Sequence, residues 1–183
     1  MGSHLLLVAP PPTEMIRKDP VLEAYGREIT YVFHALRWLG AQPNEVEDLA
    51  QEVFIALRRS WSHYDSSRPI RPYLFGVAFR VVSMQRRKRK REVVFAHLEV
   101  RGGGPDPDEV LQAKQARALV LRALEAVPLR RRAVLVMHDL DEVPIRQVAA
   151  ALSIPLFTAY SRLRKARAEL EVAIRKIAKA NEP

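Results

Sequence analysis

The chain has 183 residues, enough for one domain or two small ones, and carries a formal net charge of +9 with a pI near 10.2. That balance favours polyanionic partners, while 48% hydrophobic residues argue against wholesale disorder. The absence of cysteine excludes a disulfide scaffold and thiolate metal sites, and no apolar run approaches the roughly 20 residues that span a bilayer.

Residues 1–20 read as a disordered tail. Met1–His4 resembles an expression-vector scar, the apolar residues 5–9 are too short for a signal-peptide core, and Pro10, Pro11 and Pro12 cannot seed regular structure. A helix is expected from about Val21. Val21, Leu22, Tyr25, Ile29, Val32, Phe33, Leu36 and Leu39 recur at three- and four-residue spacing, the mark of a buried face, and Gly40 and Pro43 end it. The next helix spans about 44–61, with Asn44 as its N-cap and Glu45, Glu47 and Asp48 matching its dipole. Val46, Leu49, Ala50, Val53 and Leu57 form its inward stripe. Its outward face holds Asp48, Gln51, Glu52, Ile55 and Arg59, an apolar centre ringed by acidic and amide groups. That is either a small docking patch or an ordinary surface with one exposed isoleucine. Trp61 and Tyr64 follow in a polar loop, where they either stack on unpaired bases or cap the core.

Residues 69–91 predict one helix, with Pro72 in its first turn and six consecutive basic residues, Arg86 to Arg91, at its end. Tyr73, Leu74, Val77, Ala78, Val81 and Met84 fall on one broad side. Gly76, Arg80, Ser83 and Arg87 form a second stripe with no bulky apolar member, flanked by Phe75 and Phe79. Gly76 there would admit another backbone. A cationic run with no carboxylate before Glu92 repels itself unless a polyanion lies nearby, so nucleic acid is the favoured partner.

Residues 102–107, GGGPDP, read as a linker and mark the domain boundary. Helices are then expected over 108–126, with Asp106 or Asp108 near the cap, and over 129–137. No strand-like alternation or internal repeat occurs, so the fold class is all-α. A short helix over 144–152, a break at Ser153–Pro155 and a long helix from Leu156 make a helix-turn-helix layout. In the long helix Leu156, Ala159, Tyr160, Leu163, Ala166, Leu170, Ile174 and Ile177 keep the core period. Phe157, Thr158, Ser161, Arg162 and Lys165 face away, positions suited to the major groove.

Both halves resemble one family, the extracytoplasmic-function (ECF) subgroup of bacterial sigma factors. EDLAQEVF (47–54) is similar to the family's EDLxQEVF segment, and PYLFGVA (72–78) to P-W-L-F-x-I-A. ALEAVP (123–128) with 130–135 is similar to ALxxLPxRxRxVL. PLFTAYSRL (155–163) with Ala166 and Arg167 is similar to IPxGTVxSRLxRAR. The resemblance implies two small helical domains joined by a flexible linker: region two over 21–92, a linker over 93–108, and region four over 109–183.

It also implies partners for each surface. Asp48, Gln51, Glu52, Phe54 and Ile55 would dock on the β′ clamp helices of core RNA polymerase. Trp61, Tyr64, Tyr73, Gly76, Arg80, Ser83, Arg86, Arg87 and Lys88 would recognise and open the promoter's minus-ten element. Phe157, Thr158, Ser161, Arg162 and Lys165 would read the minus-thirty-five element, and the rest of region four would meet the β flap. An anti-sigma factor is a further expected partner; the chain would act in the cytoplasm, without membrane insertion, catalysis, cofactor or metal. Arg80 departs from the asparagine many members carry, and an arginine cannot reproduce an amide's donor–acceptor pair. Met84 stands for a usual aspartate, Phe157 for glycine, Ala159 for valine and Tyr160 for a common basic residue.

Two competing readings remain. A stand-alone helix-turn-helix regulator would need no polymerase-docking patch and would usually dimerise. An enzyme would need a site, yet His34, His63, His97 and His138 show no metal-ligand spacing, and no P-loop or nucleophile motif occurs. The acidic run 138–142 reads as a turn before the helix-turn-helix.

Overall fold

The computed structural model describes residues 19–95 and 111–180, with side chains left undescribed at Lys90, 92–95 and 111–117. The linker at 102–107, its capping aspartates, most of the tail and His97 lie outside the described residues. Seven α-helices and no strand occur among those described: α1 Pro20–Trp38, α2 Val46–Ser60, α3 Ile70–Phe95, α4 Leu111–Glu125, α5 Leu129–Leu135, α6 Ile145–Ala151 and α7 Leu156–Ala180.

Helix α1 begins where Asp19 accepts the Val21 amide at 3.0 Å, with Pro20 already inside the first turn. It ends in a Schellman motif. Gly40 takes φ +88°, its amide donates to Arg37 O, and the Ala41 amide reaches Leu36 O at 2.9 Å. The expected Asn44 cap of α2 does not form. Pro43–Glu45 is instead a 3₁₀ turn, in which the Glu45 carboxylate accepts the Gln42 amide at 3.2 Å. Helix α2 then buries Val46, Leu49, Ala50, Val53 and Leu57 as its spacing predicts.

Helix α3 packs against α1 and α2 on one side and α6 on another. Two expectations for α3 change. Phe75, expected to flank a polar stripe, is fully buried, and Val82 is buried as well. Met84, expected on the apolar side, is 68% exposed and lines an open groove with Arg80, Ser83 and Arg87.

The second module is arranged around α7, against which α4, α5 and α6 all pack. Helix α5 is shorter than expected and runs into a π-helical turn, Val136–Leu140, closed by the Asp141 amide on Val136 O. The break between α6 and α7 is another Schellman motif, with Ser153 at φ 53° and the Ile154 amide on Ala149 O at 2.9 Å. Ala159, Leu163 and Ala166 enter the core as expected, joined by Ala173. Leu156, Tyr160 and Ile174 do not. They stay exposed on sides of α7 that its neighbours leave uncovered, Tyr160 between buried Ala159 and Leu163 and Ile174 beside buried Ala173. One buried cluster runs from α1–α3 into α5–α7, so the two modules share apolar contact.

Candidate nucleic-acid interface

Three surfaces carry the residues expected to function. The first lies on α1 and α2. Asp48, Gln51 and Glu52 are exposed, Ile55 is 49% exposed, and Phe54 is half-buried against Tyr25, with ring centroids 5.0 Å apart. Tyr25 is held by donation to Ala50 O at 2.5 Å, and burial pushes its hydroxyl up to about 12. The patch is wider than sequence reasoning indicated. Leu22, 58% exposed, joins Ile29 and Phe33 of α1 with Phe54 and Ile55 in one apolar groove, edged by Glu47 and Gln51. The signal was present in α1, whose apolar stripe is broader than one buried face needs.

The second surface begins at the 61–73 segment. Trp61, Tyr64 and Tyr73 form a ladder of rings, 5.0 and 5.1 Å between successive centroids. Tyr73 donates to Ser60 O and Tyr64 to Arg68 O, both at 2.7 Å, so the hydroxyls anchor the loop and the rings pack on one another. Further along α3, Arg80, Ser83 and Arg87 line a groove, while Lys88 is exposed. Gly76 is buried. Arg86 turns back to the protein and donates to Leu39 O at 2.9 Å, beside Arg132. Arg89 pairs with Glu45, so the cation ladder is partly engaged within the fold.

Arg132 is the second module's one buried charged side chain among the described residues, 3% exposed. It donates to Val127 O at 3.1 Å and Glu125 O at 2.8 Å, capping the end of α4, while its Nη1 is buried without a partner. Burial first and Arg86 second pull its guanidinium down to about 10.

The third surface is the start of α7. Phe157 is 83% exposed, and Thr158, Ser161, Arg162 and Lys165 accompany it. These side chains face the same groove as Arg80, Ser83 and Arg87. Arg130 and Arg131 of α5 complete it, Arg131 being paired to Glu169 at 2.6 Å. Burial, then the neighbouring Arg130, lower the Arg162 pKa. Among the described residues no carboxylate lines this groove. A groove whose charged walls are all cationic attracts phosphate, and its exposed apolar members suit bases or thymine methyls.

Two carboxylates of the acidic turn, Asp139 and Asp141, are engaged. Asp139 takes a bidentate pair from Arg167 at 2.9 and 2.7 Å, which holds its carboxyl below the usual range. Asp141 accepts from the Tyr31 hydroxyl at 2.6 Å, and His138 Nδ1 lies 3.0 Å from Val143 O. Among the described residues no group of three or more His, Asp or Glu is placed to hold a metal, and no helix is long and apolar enough to cross a membrane.

Comparison with known proteins agrees with this layout. The family described as Sigma-70 region 2 matches residues 23–92, and Sigma-70, region 4 matches 117–170. The ECF RNA polymerase sigma factor SigL of Mycobacterium tuberculosis is 30% identical over 151 residues, 79% of this chain and 82% of its own. The RNA polymerase sigma factor NccH of Alcaligenes xylosoxydans xylosoxydans is 25% identical over 156 residues, 82% of each. Among solved structures, the sigma factor RpoE in complex with the anti-sigma factor NepR from Bartonella quintana superposes with a TM-score of 0.64 at 21% identity, covering 84% of this chain and 98% of that one. CnrH in complex with the cytosolic domain of CnrY gives 0.59 at 20%, covering 88% and 89%. At those identities the superpositions speak for the fold, while the two family matches and the SigL relationship speak for descent. With both sigma regions in order on one helical chain, the protein belongs to the ECF subfamily of RNA polymerase sigma factors, which serve transcription initiation.

Proposed function

We propose that the α1–α2 groove docks on the β′ clamp helices of core RNA polymerase, with Ile55, Phe54 and Leu22 as apolar anchors and Asp48, Gln51 and Glu52 as the polar rim. The observation that carries this reading is the segregation of surfaces. An apolar groove with an acidic and amide edge stands on α1–α2, and a groove with only cationic charges lies between α3, α5 and α7. The first suits a protein partner and the second a nucleic acid.

In this reading region two covers 21–92 and region four 109–183, with 93–108 between them. The ring ladder of Trp61, Tyr64 and Tyr73 with Arg80, Ser83, Arg87 and Lys88 meets the minus-ten element. Separated bases stack on rings, and Arg and Lys neutralise phosphates. Arg86 already lines the cationic groove, and Gly76 joins the surface once the Ala151 contact that covers it is released. Phe157, Thr158, Ser161, Arg162 and Lys165 read the minus-thirty-five element from the major groove, and the rest of region four meets the β flap. The protein acts in the cytoplasm and catalyses nothing itself; DNA opening draws on polymerase binding and on capture of unstacked bases. One solved neighbour is bound to an anti-sigma factor and another to the cytosolic domain of CnrY, which supports a protein inhibitor here.

The test is reconstituted transcription. Core polymerase with this chain should start transcripts at discrete genomic sites whose upstream sequences share two motifs. If core enzyme gains no promoter-specific initiation while the chain still binds duplex DNA, a stand-alone helix-turn-helix regulator is the correct reading.

A further inference from the structure

The first turns of α7 hold an aromatic ring in water. Successive helix positions advance by about 100°, so Phe157, Ser161 and Arg164 stand opposite the buried line of Ala159, Leu163 and Ala166. Phe157 is 83% exposed, and Tyr160, 54% exposed, flanks it one turn on. Lys165 lies on the other flank. No carboxylate occurs on α7 before Glu169, so the apolar spot is framed by Arg162, Arg164 and Lys165. An exposed ring among cations alone is a surface made for a nucleic acid, not for the core.

In a helix-turn-helix the N-terminal residues of the second helix meet the base edges of the major groove. Phe157 is the second residue of α7, so its ring arrives at those edges. A phenyl ring has neither donor nor acceptor, and the hydrogen-bond code of the groove is closed to it. What it can distinguish is the 5-methyl group of thymine, the apolar group that base offers there. Set against the amino or carbonyl groups of another base, the ring would strip their water and return no hydrogen bond.

We propose that Phe157 is a specificity-determining residue of the minus-thirty-five contact and selects a thymine by packing on its 5-methyl group. The inference rests on the assignment of α7 to that element given above, and it names the base that one side chain reads. Glycine, which the family resemblance leads one to expect at this position, would reach no base. The preference therefore comes from the residue this chain carries.

The test uses the full chain assembled with core polymerase, on a promoter taken from mapped transcript starts. Each thymine of the minus-thirty-five element is replaced singly by deoxyuridine, which removes the methyl group and leaves every hydrogen-bonding group in place. Burial of one methyl group corresponds to about fourfold in affinity, so one position should show about a fourfold loss in competition between the two duplexes. Phe157→Ala should bring that ratio to one, and Phe157→Leu should keep most of it. Lys165→Ala should weaken both duplexes alike and leave the ratio as it was. The ratio compares two duplexes on one protein, so a variant that folds less completely does not disturb it. An element without thymine overturns the proposal. So does a complex indifferent to deoxyuridine at every position, or a fourfold ratio that survives Phe157→Ala. Promoters that share no minus-thirty-five motif would refute the assignment of α7 instead, and absence of promoter-specific initiation would refute the polymerase reading.

Discussion

The proposed docking groove makes a quantitative demand on two residues from different helices. Leu22 is 58% and Ile55 49% exposed, so about half of each remains to be covered by a partner. Full burial of a leucine or isoleucine side chain contributes about 1.5–3 kcal/mol, so docking recovers roughly 1–1.5 kcal/mol from each. A carboxylate forced into the same contact adds a desolvation cost of about 1–3 kcal/mol. Because neighbouring sites are not additive, Leu22→Asp with Ile55→Asp should weaken core polymerase binding by about 3–4 kcal/mol. That is roughly a hundredfold to a thousandfold in Kd. Both side chains are already half in water, so the melting temperature of the free chain should move little. A titration of labelled protein with core polymerase, beside a thermal melt by circular dichroism, measures both. Less than a threefold change in Kd with the fold intact would remove the groove from the polymerase interface.

The other expectations concern DNA and stability. Arg80→Ala with Arg87→Ala should flatten the salt dependence of promoter-complex formation by roughly 0.7–0.9 for each phosphate no longer neutralised, and an unchanged slope in a salt titration refutes their phosphate role. Arg162→Ala should relax discrimination at one position of the minus-thirty-five element by about 1–3 kcal/mol, read by competition between duplexes. Leu57→Ala, at a fully buried position of α2, should cost about 2–5 kcal/mol in denaturant unfolding. Asp139 and Asp141 should titrate in opposite senses. The Asp139 pKa is lowered, chiefly by Arg167, so its contribution is present above the ordinary carboxylate pKa and is lost as pH falls through the folded value. The Asp141 pKa is raised by burial against the opposing Tyr31 bond and Arg71, so its contribution is full below the ordinary carboxylate pKa and fades as pH rises through the folded value. Asparagine at each position, compared in acid unfolding curves, should therefore shift the profile in opposite directions.

Periodicity located the helices because burial and spacing are local properties of one face. Val46, Leu49, Ala50, Val53 and Leu57 of α2 went inward as spaced, and the break at Ser153–Pro155 fell where the Schellman turn forms. Expectations failed where the covered sides of a helix differ from the side its apolar spacing marks. Phe75 is buried, Met84 and Tyr160 lie on uncovered sides, and Leu22 belongs to a surface groove. A helical wheel records which residues share a face, not which faces a neighbour covers.

The sequence by itself determined the helical class, the charge distribution, the two family segments and the residue types available for phosphate and base contact. These follow from composition and short-range spacing. Tertiary structure alone decided what those residues face. It brought the α3 and α7 cations to one groove, turned Arg86 toward Leu39 O, tied Tyr31 to Asp141, and put the Ala151 carbonyl over Gly76. Each joins positions far apart in the chain, and such meetings depend on how whole helices pack. Gly76 signalled only that a backbone would come close; the fold supplied α6 as that backbone.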